Sequence, residues 1–219
     1  MAGLSCITFT RRVPTLMMRT WGKFLLWVGG VKLHIEGLEN ADPHRPAIYM
    51  VNHTSAIDIP ILVAALPVHL RFLFKNSLMW VPILGWSIYA MGMIPVDRSN
   101  KLKAAVSLRK AADRIRSGFH VLIFPEGTRS RDGRLLPFKK GGFRLALTEN
   151  VDIIPVTLRN STEICGRNSM VAKPGVVEMV IHPRYSTANC TMADRERVVR
   201  EIRNIIESEL PDPVAVRRN

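Results

Sequence analysis

Three short apolar runs in this chain each break into a cluster of polar and charged residues, and this repeated punctuation constrains the fold more than any other feature. Residues 47–51 lead into Asn52-His53-Thr54-Ser55-Ala56-Ile57-Asp58. Residues 92–96 lead into Asp97-Arg98-Ser99-Asn100, and residues 119–123 into Phe124-Pro125-Glu126-Gly127-Thr128-Arg129-Ser130. Apolar runs this short read as buried strands. In an open α/β sheet ligands gather beyond the carboxyl ends of the strands, so three such clusters predict one shared site. Taken singly, Arg98 or Arg129 reads as one half of a surface salt bridge.

On a continuous helix, positions five apart lie ~140° around the axis, so His53 and Asp58 meet only if the chain turns between them. Strand, turn and helix satisfy this, with Ile59 to Leu66 as the helix and Pro60 in its first turn, where a missing N–H does no harm. Asp58 can then hold one ring nitrogen of His53 and fix its tautomer, leaving the other nitrogen to take a proton from a hydroxyl. No serine completes the pair, so the nucleophile would be the substrate's own alcohol. For the pair alone, a loop histidine beside a helix-capping aspartate is the preferred reading; the clusters elsewhere in the chain turn the preference toward chemistry. In the third cluster Gly127 lets the backbone approach a ligand, Thr128 offers a hydroxyl, Glu126 can accept from hydroxyls, and Arg129 brings a planar fork of donors suited to phosphate or carboxylate.

The rest of the chain alternates. Lys101 to Ser117 reads as an amphipathic helix ended by Gly118, Gly141 to Glu149 as a helix, Asp152 to Leu158 and Val176 to His182 as strands, and Asp194 to Leu210 as a closing helix. This is the pattern of an α/β sheet with helices on its faces. Asn76 to Val96 carries no charge and is long enough for a membrane span. Pro82 and Gly85 interrupt it, and crossing would separate Lys75 from Asp97-Arg98, so it reads instead as a buried or membrane-contacting segment that lines an acyl-chain groove or simply packs in the core. Residues 214–219 read as a loose basic tail.

In order, the segments 52–58, 97–98, 124–130 and Ile153-Ile154-Pro155-Val156 resemble the four sequence blocks of the glycerolipid acyltransferases, over most of the chain. Arg129 to Phe143 is more similar to the lysophosphatidate enzymes of that family than to the glycerol-phosphate acyltransferases. Asp152 departs from the pattern, standing where a proline often precedes Ile-x-Pro-Val; the expected effect is on a strand edge rather than on chemistry. The resemblance implies the glycerolipid acyltransferase fold, an α/β architecture with a central mostly parallel or mixed sheet flanked by helices. It also implies acyl transfer from a thioester on coenzyme A or acyl carrier protein, a cosubstrate rather than a bound cofactor, to the free hydroxyl of 1-acylglycerol 3-phosphate, forming phosphatidic acid.

By the same resemblance His53 is the general base, Asp58 orients it, Arg98 and Arg129 hold the acceptor's phosphate, and Glu126 meets the glycerol, with Gly127 and Thr128 in the same binding turn. Lys75 adds a further cation or is a snorkelling surface lysine. Ser55 reads as a turn or cap residue, and the chain lacks a Gly-x-Ser-x-Gly nucleophile motif, which agrees with transfer without an acyl-enzyme. Acylation of another lyso-lipid such as lyso-ornithine lipid, a non-catalytic lipid-binding role and hydrolysis are the alternatives.

Lys and Arg number 31 against 18 Asp and Glu, a formal charge of +13. Such a surplus attracts anionic head groups, an anionic substrate or nucleic acid. Nucleic acid is disfavoured, since no zinc-finger spacing, ribonucleoprotein signature or basic heptad region is present. The first 35 residues hold Arg11, Arg12, Arg19, Lys23 and Lys32 and no acid, around an apolar stretch with Phe24, Leu25, Leu26, Trp27 and Val28. The uncharged part is far shorter than the ~20 residues of a spanning helix, so residues 1–34 read as a basic amphipathic membrane-associating segment and 35–219 as the acyltransferase domain. The expected location is the cytoplasmic face of the cell membrane, peripheral or monotopic, on a phospholipid surface. Cys6, Cys165 and Cys190 suggest neither a disulfide framework nor a zinc site, and no metal is expected.

Overall fold

The computed structural model describes residues 2–82, 84–97, 100–130, 133–166, 169 and 171–211, and of these the backbone alone at 2–11, 84 and 101. Seven strands form one mixed sheet: β1 (Val31–Glu36), β2 (Ile48–Val51), β3 (Leu70–Lys75), β4 (Ile94–Val96), β5 (His120–Ile123), β6 (Ile153–Arg159) and β7 (Gly175–Ile181), in the order β1-β7-β6-β2-β5-β3-β4. From β6 to β4 all neighbours run parallel; β7 is antiparallel to β6, and β1 pairs parallel with β7. The central strand β2 is apolar at every position because both faces of the sheet are covered. In β2, Ile48 and Met50 enter one core cluster while Tyr49 and Val51 enter the other, and all four are fully buried.

One face carries α1 (Ala2–Val28), α2 (Asp58–Ala65) and the segment holding α3 (Leu84–Ala90); the other carries α4 (Lys101–Arg116), α5 (Gly141–Glu149) and α7 (Arg195–Ser208), with a single turn, α6 (Ser161–Ile164), after β6. The sequence pattern explains each. Asn100 caps α4 by accepting from the amides of Leu102 and Lys103, and Gly118 ends the helix at φ 81°. Val198, Ile202 and Ile206, four apart on α7, are fully buried.

One expected boundary shifts. Residues 31–34 belong to the sheet, so a boundary at 34/35 falls inside β1, and the N-terminal helix runs from Ala2 to Val28 through Pro14. Gly22 lets α1 approach α2 closely: a Cβ there would lie 2.7 Å from Pro60 O and 2.9 Å from Val63 Cγ2. The 76–96 segment leaves the sheet after Lys75 and returns so that Lys75 and Val96 are partners in parallel strands, which puts both flanks at the same sheet end. Among the described residues no helix is long and apolar enough to cross a membrane.

Candidate active site

β2, β5, β3, β4 and β6 all end on one side, and the polar clusters gather there. Asn52 continues β2 with its side chain. Its Nδ2 donates to Leu158 O and its Oδ1 accepts from Leu158 N–H, both at 2.8 Å, so the amide acts as one more ladder step toward β6. The chain then turns within Thr54 to Ile57 and enters α2 at Asp58.

Asp58 is fully buried, and its Oδ2 accepts from His53 Nδ1 at 2.8 Å and from the amides of Thr54 and Ser55, each at 2.9 Å. The aspartate thus closes the turn and fixes the imidazole at once, combining both roles considered from sequence. A carboxylate in the first turn is also favoured by the helix dipole. With Nδ1–H given to Asp58, Nε2 is left as an acceptor, and it has no partner among the described residues; the His53 side chain keeps 14% of its surface exposed.

The turn after β5 locks His53 from the other side. His53 N–H donates to Glu126 Oε1 and Ser130 N–H donates to His53 O, both at 2.8 Å, while the Phe124 ring stacks on the imidazole at 3.9 Å and 16°. Glu126 is 2% exposed, and its Oε2 accepts from Leu136 N–H at 2.8 Å. Both carboxylate oxygens are therefore engaged by backbone amides, and Glu126 sits beneath the site as a link, where the sequence suggested a contact with glycerol. Burial pushes its pKa up to about 7 from 4.5, against the pull of the Leu136 and His53 amides. Arg203 of α7 extends the link, donating to Leu136 O at 2.9 Å and Leu135 O at 3.1 Å.

Ser55 is fully buried, donating from Oγ to Cys165 O, and Thr54 Oγ1 lies 2.8 Å from Ser161 Oγ; these contacts fasten the turn to the α6 segment. Thr128 is exposed and Arg129 half-buried in the same turn as Gly127, and Lys75 is exposed at the end of β3, one strand beyond β5. Arg98 lies outside the described residues. The 76–96 segment does line a cleft of about 460 Å³, but Tyr89, Gly92 and Ile94 face Lys110, Asp113 and Arg114 there, at the amino end of β4. That charged wall is unsuited to a hydrocarbon chain, and it is at the opposite end of the sheet from His53. Asp152 lies at that opposite end too, just before β6, paired with Arg45 at 2.6 Å and Arg184 at 3.5 Å.

Phe124 and Ser130 hold His53, and Asn52 fastens the strand end before it to β6, without having been singled out; all three stand inside the recognised blocks, which is the signal that could have marked them. Arg203 carries no such signal.

A model of the acyltransferase family matches residues 32–159. The chain belongs to the acyltransferase family. It is 34% identical over 192 residues to a chloroplastic 1-acyl-sn-glycerol-3-phosphate acyltransferase of Brassica napus, covering 86% of this chain and 55% of that protein. With a 1-acyl-sn-glycerol-3-phosphate acyltransferase of Borreliella burgdorferi the identity is 33%, over 89% of this chain and 81% of that protein. The crystal structure of the 1-acyl-sn-glycerophosphate acyltransferase PlsC from Thermotoga maritima superimposes with a TM-score of 0.76 at 26% identity, covering 89% of this chain and 78% of that one. The chain spans about half the length of the plant relatives from Brassica napus and Arabidopsis thaliana.

Proposed function

We propose that this protein is a 1-acylglycerol-3-phosphate O-acyltransferase that works at a phospholipid membrane surface, with His53 as general base. The observation that carries the reading is the His53–Asp58 pair: Nδ1 is bound to a buried carboxylate and Nε2 has no protein partner among the described residues. Relatives named for this acceptor support the choice of lysophosphatidate.

His53 Nε2 takes the proton of the acceptor's free hydroxyl as its oxygen attacks the thioester carbonyl. The Asp58 carboxylate stabilises the imidazolium that forms. Collapse of the tetrahedral intermediate breaks the C–S bond, and the imidazolium returns its proton to the departing thiolate. Ser55 is buried and committed to Cys165 O, which favours direct attack over an acyl-enzyme. The acyl donor in this scheme is a thioester of coenzyme A or acyl carrier protein, and Arg98 and Arg129 take the acceptor's phosphate.

The membrane part of the proposal rests on α1. Val13, Leu16, Met17, Trp21, Phe24, Trp27 and Val28 are exposed at spacings of three and four, forming one apolar stripe, while Met18, Gly22 and Leu26 face the protein. Arg12, Arg19 and Lys23 flank the stripe. Exposed Trp80, Trp86 and Tyr89 belong to a segment that packs on the same core cluster through Met79, Ile88 and Met91, so they lie on the same side of the sheet.

The test is transfer from a labelled acyl thioester to lysophosphatidate in detergent or vesicles, with the unaltered protein and His53→Ala. The unaltered protein is expected to form phosphatidate and the variant to lose ~10²-fold or more. Transfer that survives in a folded His53→Ala protein removes the mechanism. A phosphate-free lyso-lipid that outcompetes lysophosphatidate moves the acceptor to a lipid such as lyso-ornithine lipid, and failure with every acceptor leaves a lipid-binding role.

A further inference from the structure

The sequence leaves room above Gly127, and the structure fills it with Lys139. Gly127 has φ 72°, and a Cβ built on it would lie 2.8 to 2.9 Å from Lys139 Cε, Cδ and Nζ. Any other residue there would meet both a left-handed backbone and the lysine chain. The approach is built in at the backbone as well. Leu136 N–H donates to Glu126 Oε2 and Lys139 N–H donates to Pro125 O, both at 2.8 Å, so residues 136–139 lie back along the turn that locks His53.

The neighbouring lysine goes elsewhere. Lys140 Nζ reaches α7 and pairs with Glu196 at 2.7 Å. Lys139 is exposed and has no ion pair or side-chain hydrogen bond among the described residues, and its chain is laid across Gly127. Its ammonium therefore stands over the turn that carries Thr128 and Arg129 and that contacts His53 through Glu126, Ser130 and Phe124. An ammonium with its donors unspent, laid over the turn that carries Arg129 and braces His53, is suited to a compact anion.

Building on the acyltransferase reading above, we propose that Lys139 binds a phosphate group of a substrate at the mouth of the site, with Gly127 kept bare to let it lie there. The same chemistry is present in the acceptor's phosphate, a few bonds from the attacking hydroxyl, and in the phosphates of a coenzyme A donor.

Steady-state kinetics on the full chain, varying lysophosphatidate and acyl-coenzyme A in turn, compare the unaltered protein with Lys139→Met, Lys139→Arg and Lys140→Met. Lys139→Met is expected to raise one KM about tenfold with kcat little changed, the scale of one charge-assisted contact. Lys139→Arg recovers most of that loss, and Lys140→Met leaves both KM values alone. A rise for lysophosphatidate assigns the acceptor's phosphate, and a rise for the donor assigns the coenzyme. Titration of the same proteins with glycerol 3-phosphate and with coenzyme A reads the contact without turnover. Equal affinities of the unaltered protein and Lys139→Met for both probes overturn the proposal, whether or not the protein transfers acyl groups; absence of transfer alongside weakened binding in Lys139→Met counts against the reaction and not against the phosphate contact.

Discussion

Asp58 presents a single carboxylate oxygen, Oδ2, to His53 Nδ1 at 2.8 Å, and that same oxygen also receives the amides of Thr54 and Ser55. Its second oxygen, Oδ1, is buried with no hydrogen-bond partner among the described residues. An asparagine can keep its carbonyl oxygen under the three donors and turn its amide into the Oδ1 position. Asp58→Asn is therefore expected to fold with the turn intact while losing the negative charge that stabilises the imidazolium. The expected loss in kcat is ~10²- to 10⁴-fold. Circular dichroism together with turnover separates the two effects, and full activity in the variant would show that His53 needs only a hydrogen-bond acceptor.

Ser55 makes the opposite prediction. Its hydroxyl is buried and spent on Cys165 O, so Ser55→Ala removes a structural bond rather than a reacting group. The variant should lose about 1–3 kcal/mol of stability, the cost of a buried carbonyl left without a donor, and retain transfer. Thermal denaturation and a turnover assay check both parts. A labelled acyl group trapped on Ser55 in the unaltered protein would contradict direct attack.

Glu126 links stability to pH. Burial raises its pKa from 4.5 to about 7, so between those values the folded state holds a proton that the unfolded state has released. Its contribution to stability is complete below 4.5 and is lost as pH rises through about 7. Relative to Glu126→Gln, which cannot ionise, the unaltered protein should lose thermal stability as pH climbs across that window. A difference in melting temperature that stays constant from pH 4.5 to 7 would mean that Glu126 is ionised throughout.

The fold was legible wherever burial left a simple pattern. The apolar run 119–123 became β5, Gly141–Glu149 became a helix with those bounds, and the buried positions of α7 were set by spacing. β1 was obscured because Val31 continues the apolar stretch of α1, which hides the half-buried alternation that follows, and Pro14 argues locally against a helix that runs through it. The site was legible as spacing and illegible as direction. His53 and Asp58 meet as their separation requires, but nothing local says that Glu126 turns inward to the amides of His53 and Leu136 or that Lys139 returns over Gly127. Arg203, 67 residues from Leu136 in the chain, joins the network only through tertiary packing.

The stripe on α1 gives a prediction that separates anchoring from folding. Phe24 and Trp27 are 56% and 77% exposed, whereas Met18 and Leu26 on the opposite side are each 5% exposed and hold the helix to the protein. Replacing Phe24 and Trp27 by serine should leave the thermal midpoint unchanged, since neither packs in the core. Transfer of such side chains out of water is worth about 1.5–3 kcal/mol each, so partition onto vesicles should fall by at least tenfold per residue. Arg12, Arg19 and Lys23 add roughly 1 kcal/mol each near an anionic surface, a contribution that salt screens. Binding of the full chain to vesicles containing phosphatidylglycerol should therefore weaken with added salt, and binding to pure phosphatidylcholine should depend on the apolar stripe and not on salt. Gly22→Leu acts from the protein side: its side chain meets Pro60 O and Val63, and the overpacking should cost about 1–3 kcal/mol of folding stability. If the serine variants instead sediment with vesicles as the unaltered protein does, the stripe is not the membrane contact.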